Sequence, residues 1–185
     1  MHQPHNLTVI QINDTHGYLE PHPELVWTAT GASYPTLGGY ARIASVLTAA
    51  RSENPGGVLA LDNGDTFHGT YPAIASRGEA LIPLVNELKL DAMTAHWEFA
   101  WGPEHFRKLA GRLDYPMLAI NCYDKQTGQR PFPASTVINR AGLRIGVIGI
   151  AATIIDKSMP PHFSEGLRFT LGNDELPAEI ERFRS

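Results

Sequence analysis

The sequence predicts an α/β fold in which helices cover a parallel β-sheet. Short apolar runs typical of buried strands alternate with longer segments of helical periodicity. Polar residues come after each strand of this repeating pattern. No internal repeat and no domain boundary is evident in the 185 residues, a length sufficient for one domain with its own core.

The first predicted strand covers residues 7–12, where β-favouring residues alternate with polar ones. It ends in Asn13-Asp14-Thr15-His16-Gly17, so Asp14 and His16 lie in a loop at the carboxyl end of the strand. Ligands bind at that edge of open α/β sheets. A carboxylate and an imidazole so close in sequence can bind a divalent cation, although both residue types also form ordinary turns.

Residues 18–37 show no clear period and contain several prolines, which predicts an irregular loop at the rim of a site. Apolar residues at helical spacing then predict a helix over 40–53, ended by Asn54-Pro55-Gly56-Gly57.

A second buried strand is predicted over 58–61, followed by a polar segment that contains Asp65. A helix over 72–88 leads to a third strand over 91–94, which His96 follows closely. A carboxylate between two strand ends can bridge two cations, and two cations about 3.5–4 Å apart can hold a hydroxide between them. Two alternatives stay open: Asp65 is a helix cap, or His96 is a core histidine held by hydrogen bonds.

The remaining segments complete the prediction. We expect a helix over 103–113, a strand over 117–120 and an antiparallel hairpin of strands 135–139 and 143–150. A last helix is expected to run from Asn173 to Arg184. Three aromatic residues are expected to pack in the core: Trp97, Phe99 and Trp101. Four histidines are expected to lie at the surface: His22, His68, His105 and His162.

Composition excludes several classes of protein. A net charge of −4 without a basic segment argues against nucleic-acid binding. Cys122 is the single cysteine, which excludes an internal disulfide and a cysteine-built zinc site. The longest apolar run, 145–155, is too short to span a bilayer, so no membrane partner is expected. Residues 1–5 lack the features of a secretory signal, which predicts a cytoplasmic location, or a periplasmic or secreted one if a signal has been removed.

Four motifs together resemble the amino-terminal metallophosphatase half of the 5′-nucleotidase and cyclic-nucleotide phosphodiesterase family. They are Asn13–Gly17, Gly38–Arg42, Asp62–Gly69 and Glu98-Phe99, in the family's order. The resemblance implies a calcineurin-like phosphoesterase fold, with two packed mixed β-sheets flanked by helices. It also implies two divalent cations (Mn, Zn, Fe, Co or similar), the first bound by Asp14 and His16 and both bridged by Asp65.

One segment departs from the family's pattern. The family has Gly-Asn-His-Glu-Phe-Asp where this chain has Ala-His-Trp-Glu-Phe-Ala at 95–100. His96 then replaces the asparagine ligand of the second cation, while Trp97 and Ala100 replace the catalytic histidine and its aspartate. His-Trp-Glu-Phe resembles the variant in bacterial sulfate thiol hydrolases, and a thiolate leaves with less need of a general acid than an alkoxide.

We therefore expect a dinuclear-metal hydrolase of phosphate esters, of the 5′-nucleotidase or cyclic-nucleotide phosphodiesterase type, with a nucleotide as the small-molecule substrate. A sulfur-ester hydrolase and a catalytically impaired metal-binding scaffold are the alternatives. Residues 1–185 would be the amino-terminal part of one metallophosphoesterase domain, without its remaining part and the carboxy-terminal substrate-binding domain. Four ligands for two cations predict weak metal binding and little turnover by these residues alone, and an incomplete second sheet predicts a homodimer.

Overall fold

The computed structural model describes residues 5–184. The strands are β1 (Thr8–Ile12), β2 (His22–Pro23), β3 (Val26–Thr28), β4 (Gly31–Ser33), β5 (Thr36–Leu37), β6 (Val58–Asp62), β7 (Ala92–Thr94), β8 (Met117–Leu118), β9 (Cys122–Asp124), β10 (Ser135–Arg140), β11 (Leu143–Ile148) and β12 (Leu167–Phe169). The α-helices are α1 (Tyr40–Glu53), α2 (Tyr71–Ala75), α3 (Ile82–Glu87), α4 (Pro103–Ala110), α5 (Ile155–Ser158) and α6 (Leu176–Arg184). Short 3₁₀-helices cover Glu79–Leu81, Glu98–Trp101 and Pro161–Phe163.

The main sheet has the strand order β1-β6-β7-β8, and its strands pair in parallel. Ile12 pairs with Asp62, and Asp62 pairs with Met93, so the first three strands end nearly level at one edge. Helical segments connect these strands, as a parallel pairing requires. This confirms the predicted α/β fold and brings the three polar strand ends together.

Antiparallel pairing lies outside the main sheet. The predicted hairpin is confirmed as β10 and β11, which turn at Ala141 and Gly142 with positive φ. A second two-stranded ladder joins β9 to β12. Within residues 5–184 the four-stranded sheet itself is therefore parallel rather than mixed, and the antiparallel component is confined to two-stranded ladders.

Phe99 anchors the third strand end in the core. Its fully buried ring contacts Phe106 edge-on at a centroid distance of 5.0 Å and Phe169 at 5.5 Å. The expectation that Phe99 is a packing residue is confirmed. Because Phe99 follows His96 so closely, aromatic packing fixes the position of the loop that carries the histidine.

The single helix predicted over 72–88 is wrong. The segment divides into α2, a 3₁₀ turn and α3, because Arg77 and Gly78 adopt positive φ values of 51° and 84°. A Cβ at Gly78 would approach Phe67 and Leu109 to 3.0 Å, so the backbone passes too close for a side chain. Apolar periodicity continues across the break and hides it from the sequence.

The prediction of an irregular loop over 18–37 is also wrong in detail. Two short antiparallel ladders, β2–β5 and β3–β4, occupy this segment. The β3–β4 turn is closed by the Thr28 hydroxyl, which donates to the Gly31 carbonyl at 2.9 Å. Helix α1 has the predicted bounds, whereas α6 begins at Leu176 rather than near Asn173.

No helix among residues 5–184 combines the length and apolar character needed to cross a bilayer.

We predict that Phe106→Ala lowers the free energy of unfolding by about 3–5 kcal/mol, because the buried ring packs on Phe67, Phe99 and Phe132. Denaturant unfolding followed by circular dichroism measures this change. The control is Tyr71→Ala, whose side chain is 81% exposed and should change stability by less than about 0.5 kcal/mol. Equal losses in the two variants would contradict the assigned core.

Candidate metal centre

The structure brings all four predicted ligands to one place. Ligand atoms of Asp14, Asp65 and His96 lie within 4.8 Å of one another. The Nε2 atom of His16 lies 3.8 Å from Asp65 Oδ2 and 3.7 Å from Asp14 Oδ1. The helix that follows Asp65 begins only at Tyr71, with Thr70 at its N-cap, so Asp65 does not cap it.

Backbone hydrogen bonds lock the first two strand ends together. The Asp14 amide donates to the Gly64 carbonyl at 2.9 Å, and the His16 amide donates to the Asp65 carbonyl at 2.8 Å. Gly64 has a φ of 93°, and a Cβ there would lie 2.6 Å from the His96 amide nitrogen. Only glycine fits where the three loops meet, since any side chain would force them apart.

Three of the four candidate ligands have a left-handed backbone conformation. Asp14, His16 and Asp65 have φ values of 53°, 47° and 59°. Such conformations cost free energy in residues other than glycine and persist where surrounding contacts impose them. Strained backbone conformations cluster at functional sites, where they hold side chains in the positions that binding requires.

Asp65 lies at the centre of the cluster and is only 4% exposed. Its Oδ1 lies 2.6 Å from His68 Nε2 and 3.2 Å from the Trp97 amide, while its Oδ2 lies 2.6 Å from His96 Nδ1. Burial acts to raise the pKa of Asp65, but the hydrogen bonds from His68 and His96 outweigh it and hold that pKa well below its usual value. Both oxygens of an ionised carboxylate are thus directed at neighbouring groups.

The prediction that His68 is a surface residue is wrong. Its side chain is 16% exposed and contacts Asp65, and its ring lies edge-on to that of His16 at 5.0 Å. Burial acts to lower the pKa of His68, but the contact with the Asp65 carboxylate raises it overall. The next residue, Gly69, passes so close to His16 that a Cβ would lie 2.8 Å from its carbonyl oxygen, which folds the loop back onto the site.

Sequence reasoning missed the role of Glu98, which joins the second and third strand ends. The side chain is 1% exposed, and its two oxygens accept the Thr66 and His96 amides, each at 2.7 Å. Burial raises the pKa of Glu98 to about 7. Burial likewise raises the pKa of Asp62 to about 6, although the Gly64 amide and the Thr66 hydroxyl donate to it. The signal available in the sequence was the Glu98-Phe99 pair, one of the four motifs that carry the resemblance.

Trp97 and Ala100 bring no titratable side chain to the site. The Trp97 indole stacks on the His96 ring at 5.4 Å, and Ala100 lies in the 3₁₀-helix Glu98–Trp101. The indole Nε1 atoms of Trp97 and Trp101 are buried without a hydrogen-bond partner in the described part of the chain. The folded site therefore has no histidine–aspartate pair at positions 97 and 100.

The remaining predicted surface histidines are engaged elsewhere. His22 pairs with Glu24 at 2.9 Å, His105 contacts the Arg77 carbonyl at 2.8 Å, and His162 is exposed. The clustered carboxylate and imidazole donors suit divalent cations such as Mn, Zn, Fe or Co, and the left-handed backbone that presents them fits a binding role.

We predict that Glu98→Gln destabilises the protein by about 1–3 kcal/mol, because a glutamine oxygen can accept one amide while its NH₂ group faces the other donor. Denaturant unfolding measures the loss. Glu87→Gln is the matched control, since Glu87 is exposed on α3 and the exchange should leave stability within about 0.5 kcal/mol. An unchanged stability in the Glu98 variant would show that the two amides do not depend on it.

Comparison with known proteins gives no match to any protein-family model. A probable 5′-nucleotidase of Treponema pallidum is 34% identical over 147 residues, which are 78% of this chain and 25% of that protein. The chain spans between 14% and 32% of the length of the curated relatives it matches.

Two solved structures show the same fold. A sulfate thiohydrolase of Thermus thermophilus superposes with a TM-score of 0.84 at 22% identity, covering 100% of this chain and 42% of the other. A calcineurin-like phosphoesterase of Bacillus subtilis superposes with a TM-score of 0.71 at 18% identity, covering 95% and 58%. In sequence the chain is thus similar to 5′-nucleotidases, and its fold is that of a calcineurin-like phosphoesterase.

Proposed function

We propose that the chain carries the metal-binding part of a hydrolase that cleaves phosphate esters with two divalent cations, and that nucleotides are the substrates. The observation that carries the proposal is the Asp65 carboxylate, buried between Asp14, His16 and His96 with both oxygens engaged. Kinship with 5′-nucleotidases supports the substrate class. A carboxylate at that place suits a bridge between two cations.

Some residues of this chain would bind the cations, and Glu98 would hold the ligand-bearing loops in position. Asp14 and His16 would hold one cation, His96 the other, and Asp65 both, with Mn, Zn, Fe or Co fitting these donors. Bound cations supply an activated hydroxide and polarise the phosphoryl oxygens. Glu98 fixes the loops of Asp65 and His96 relative to each other, so that the donors are in place before a cation arrives.

Four side chains are few for two cations. We propose that residues 1–185 form the amino-terminal part of one metallophosphoesterase domain, and that further ligands and a substrate-binding domain belong to the longer protein. The greater length of the relatives supports this proposal. The relatives do not support the predicted cytoplasmic location, and we propose the alternative of a periplasmic or secreted protein.

A sulfur-ester hydrolase is the second candidate. It is favoured by Trp97 and Ala100, because neither side chain can protonate a leaving group and a thiolate departs without that help. The solved structure named as a sulfate thiohydrolase shares the fold over the whole chain. A metal-binding scaffold without catalysis is the third candidate, motivated by the same two residues.

We predict that Asp65→Asn weakens binding of Mn²⁺ or Zn²⁺ by more than about tenfold, since even residues that only support a metal ligand have effects of that size. Isothermal titration calorimetry on the metal-free chain measures the affinity. Asp114→Asn, a change at an exposed carboxylate away from the cluster, should leave it unchanged. Absence of binding in the wild type, or equal affinity in the two variants, would count against the proposed centre.

The substrate class is tested in the metal-loaded full-length protein. Phosphate release from a nucleoside 5′-monophosphate is compared with sulfate release from cysteine S-sulfonate, and Asp65→Asn should abolish whichever activity is found. We expect phosphate release. Sulfate release alone would establish the second candidate, and bound metal without turnover on either ester would establish the third.

A further inference from the structure

An apolar pocket of about 300 Å³ adjoins the candidate metal centre. Three segments of the chain line it. Ile74 comes from α2, Ala100 and Trp101 lie in the 3₁₀-helix Glu98–Trp101, and Trp97 precedes that helix. The third segment, after β11, adds Met159 and Phe163. Its volume lies at the lower end of the range found for small-molecule sites.

The pocket and the metal centre share a wall. His68 and Trp97 both line the pocket, and both contact Asp65, the first through its ring nitrogen at 2.6 Å and the second through its backbone amide at 3.2 Å. The Trp97 ring also stacks on the ring of His96. A molecule held at the centre therefore has this pocket directly beside it.

The two departures from the family's catalytic pattern meet in this pocket. Trp97 and Ala100 both belong to its lining, so the positions that would otherwise carry a histidine and an aspartate contribute an indole face and a methyl group. Apart from His68, the side chains that line it are apolar or aromatic. The Nε1 atoms of Trp97 and Trp101 are buried and have no hydrogen-bond partner among the described residues.

We propose that this pocket binds a planar aromatic group of the ester whose phosphoryl or sulfuryl end lies at the metal centre, an inference that rests on the proposed hydrolase function. An aromatic ring gains from burial against aromatic and apolar side chains such as those of Trp97, Trp101 and Phe163. A polyol such as ribose is disfavoured, because this lining offers its hydroxyl groups few partners and would strip them of water.

The test uses the metal-free 185-residue chain, so its result does not depend on hydrolysis. The chain contains three tryptophans, and ¹⁵N–¹H spectra resolve their indole N–H groups individually. Phenol, adenine and ribose are titrated separately, with Trp27→Phe used for assignment. Trp27 lies on β3 with its side chain 75% exposed and serves as an internal control.

We expect phenol or adenine to shift the Trp97 and Trp101 signals saturably, without moving Trp27, while ribose shifts none. A response to adenine identifies a nucleobase as the occupant, and a response to phenol alone identifies an aryl ester. No shift at millimolar phenol and adenine, equal shifts with ribose, or equal movement of Trp27 would overturn the proposal. Metal binding by the same sample would be unaffected by that failure, which separates it from failure of the hydrolase proposal.

Variants locate the effect in the pocket. Ala100→Asp places a carboxylate in the apolar lining and should weaken binding of the responding probe by more than about tenfold. Ala49→Asp, at an exposed position of α1, should leave the affinity unchanged. Ile74→Ala, at a half-exposed residue whose loss the fold tolerates, should weaken binding by about threefold. Unchanged affinity in both pocket variants would refute the assignment.

Discussion

The structure depends on keeping one buried carboxylate charged. Asp65 lies where three strand ends meet, and burial by itself would favour its protonated form. The hydrogen bonds from His68 and His96 reverse that preference, and together with the Trp97 amide they orient both oxygens. Around this charge the loops accept left-handed backbone at Asp14, His16 and Asp65, a cost that the surrounding hydrogen bonds offset.

The sequence was informative wherever a local pattern decides the structure. Parallel pairing places the carboxyl ends of neighbouring strands at one edge of the sheet. Polar residues that follow apolar runs were therefore enough to predict that Asp14, His16, Asp65 and His96 lie close together. Helix α1 was equally predictable, because its apolar residues have helical spacing and Pro55 and the two glycines after it end the helix.

Features that depend on contacts between distant segments were missed. Glu98 acts through amides of the loops around it, and nothing in its neighbours reveals that its side chain is buried. His68 is drawn inward because the chain at Gly69 packs against His16, a contact between two strand ends. The break at Arg77-Gly78 arises from the approach of Phe67 and Leu109, which periodicity cannot report.

The chain departs from the pattern of the family that its motifs resemble at one ligand, His96, and at the flank of the centre. Replacement of a polar pair by Trp97 and Ala100 removes proton donors and leaves an apolar surface beside the buried carboxylate. If the proposed hydrolase function holds, the segment 97–100 supplies no general acid, and a leaving group that departs readily needs none. The same two residues therefore account both for the missing histidine–aspartate pair and for the apolar lining of the pocket.

The proposed dinuclear centre requires that Asp65 is shared by two cations. Anomalous diffraction from crystals of the manganese-loaded protein tests it most directly, because the ions are located independently of any assumed ligand. The account predicts two ions about 3.5–4 Å apart, each bound by one oxygen of Asp65. A single ion, or two ions of which neither contacts Asp65, would contradict it.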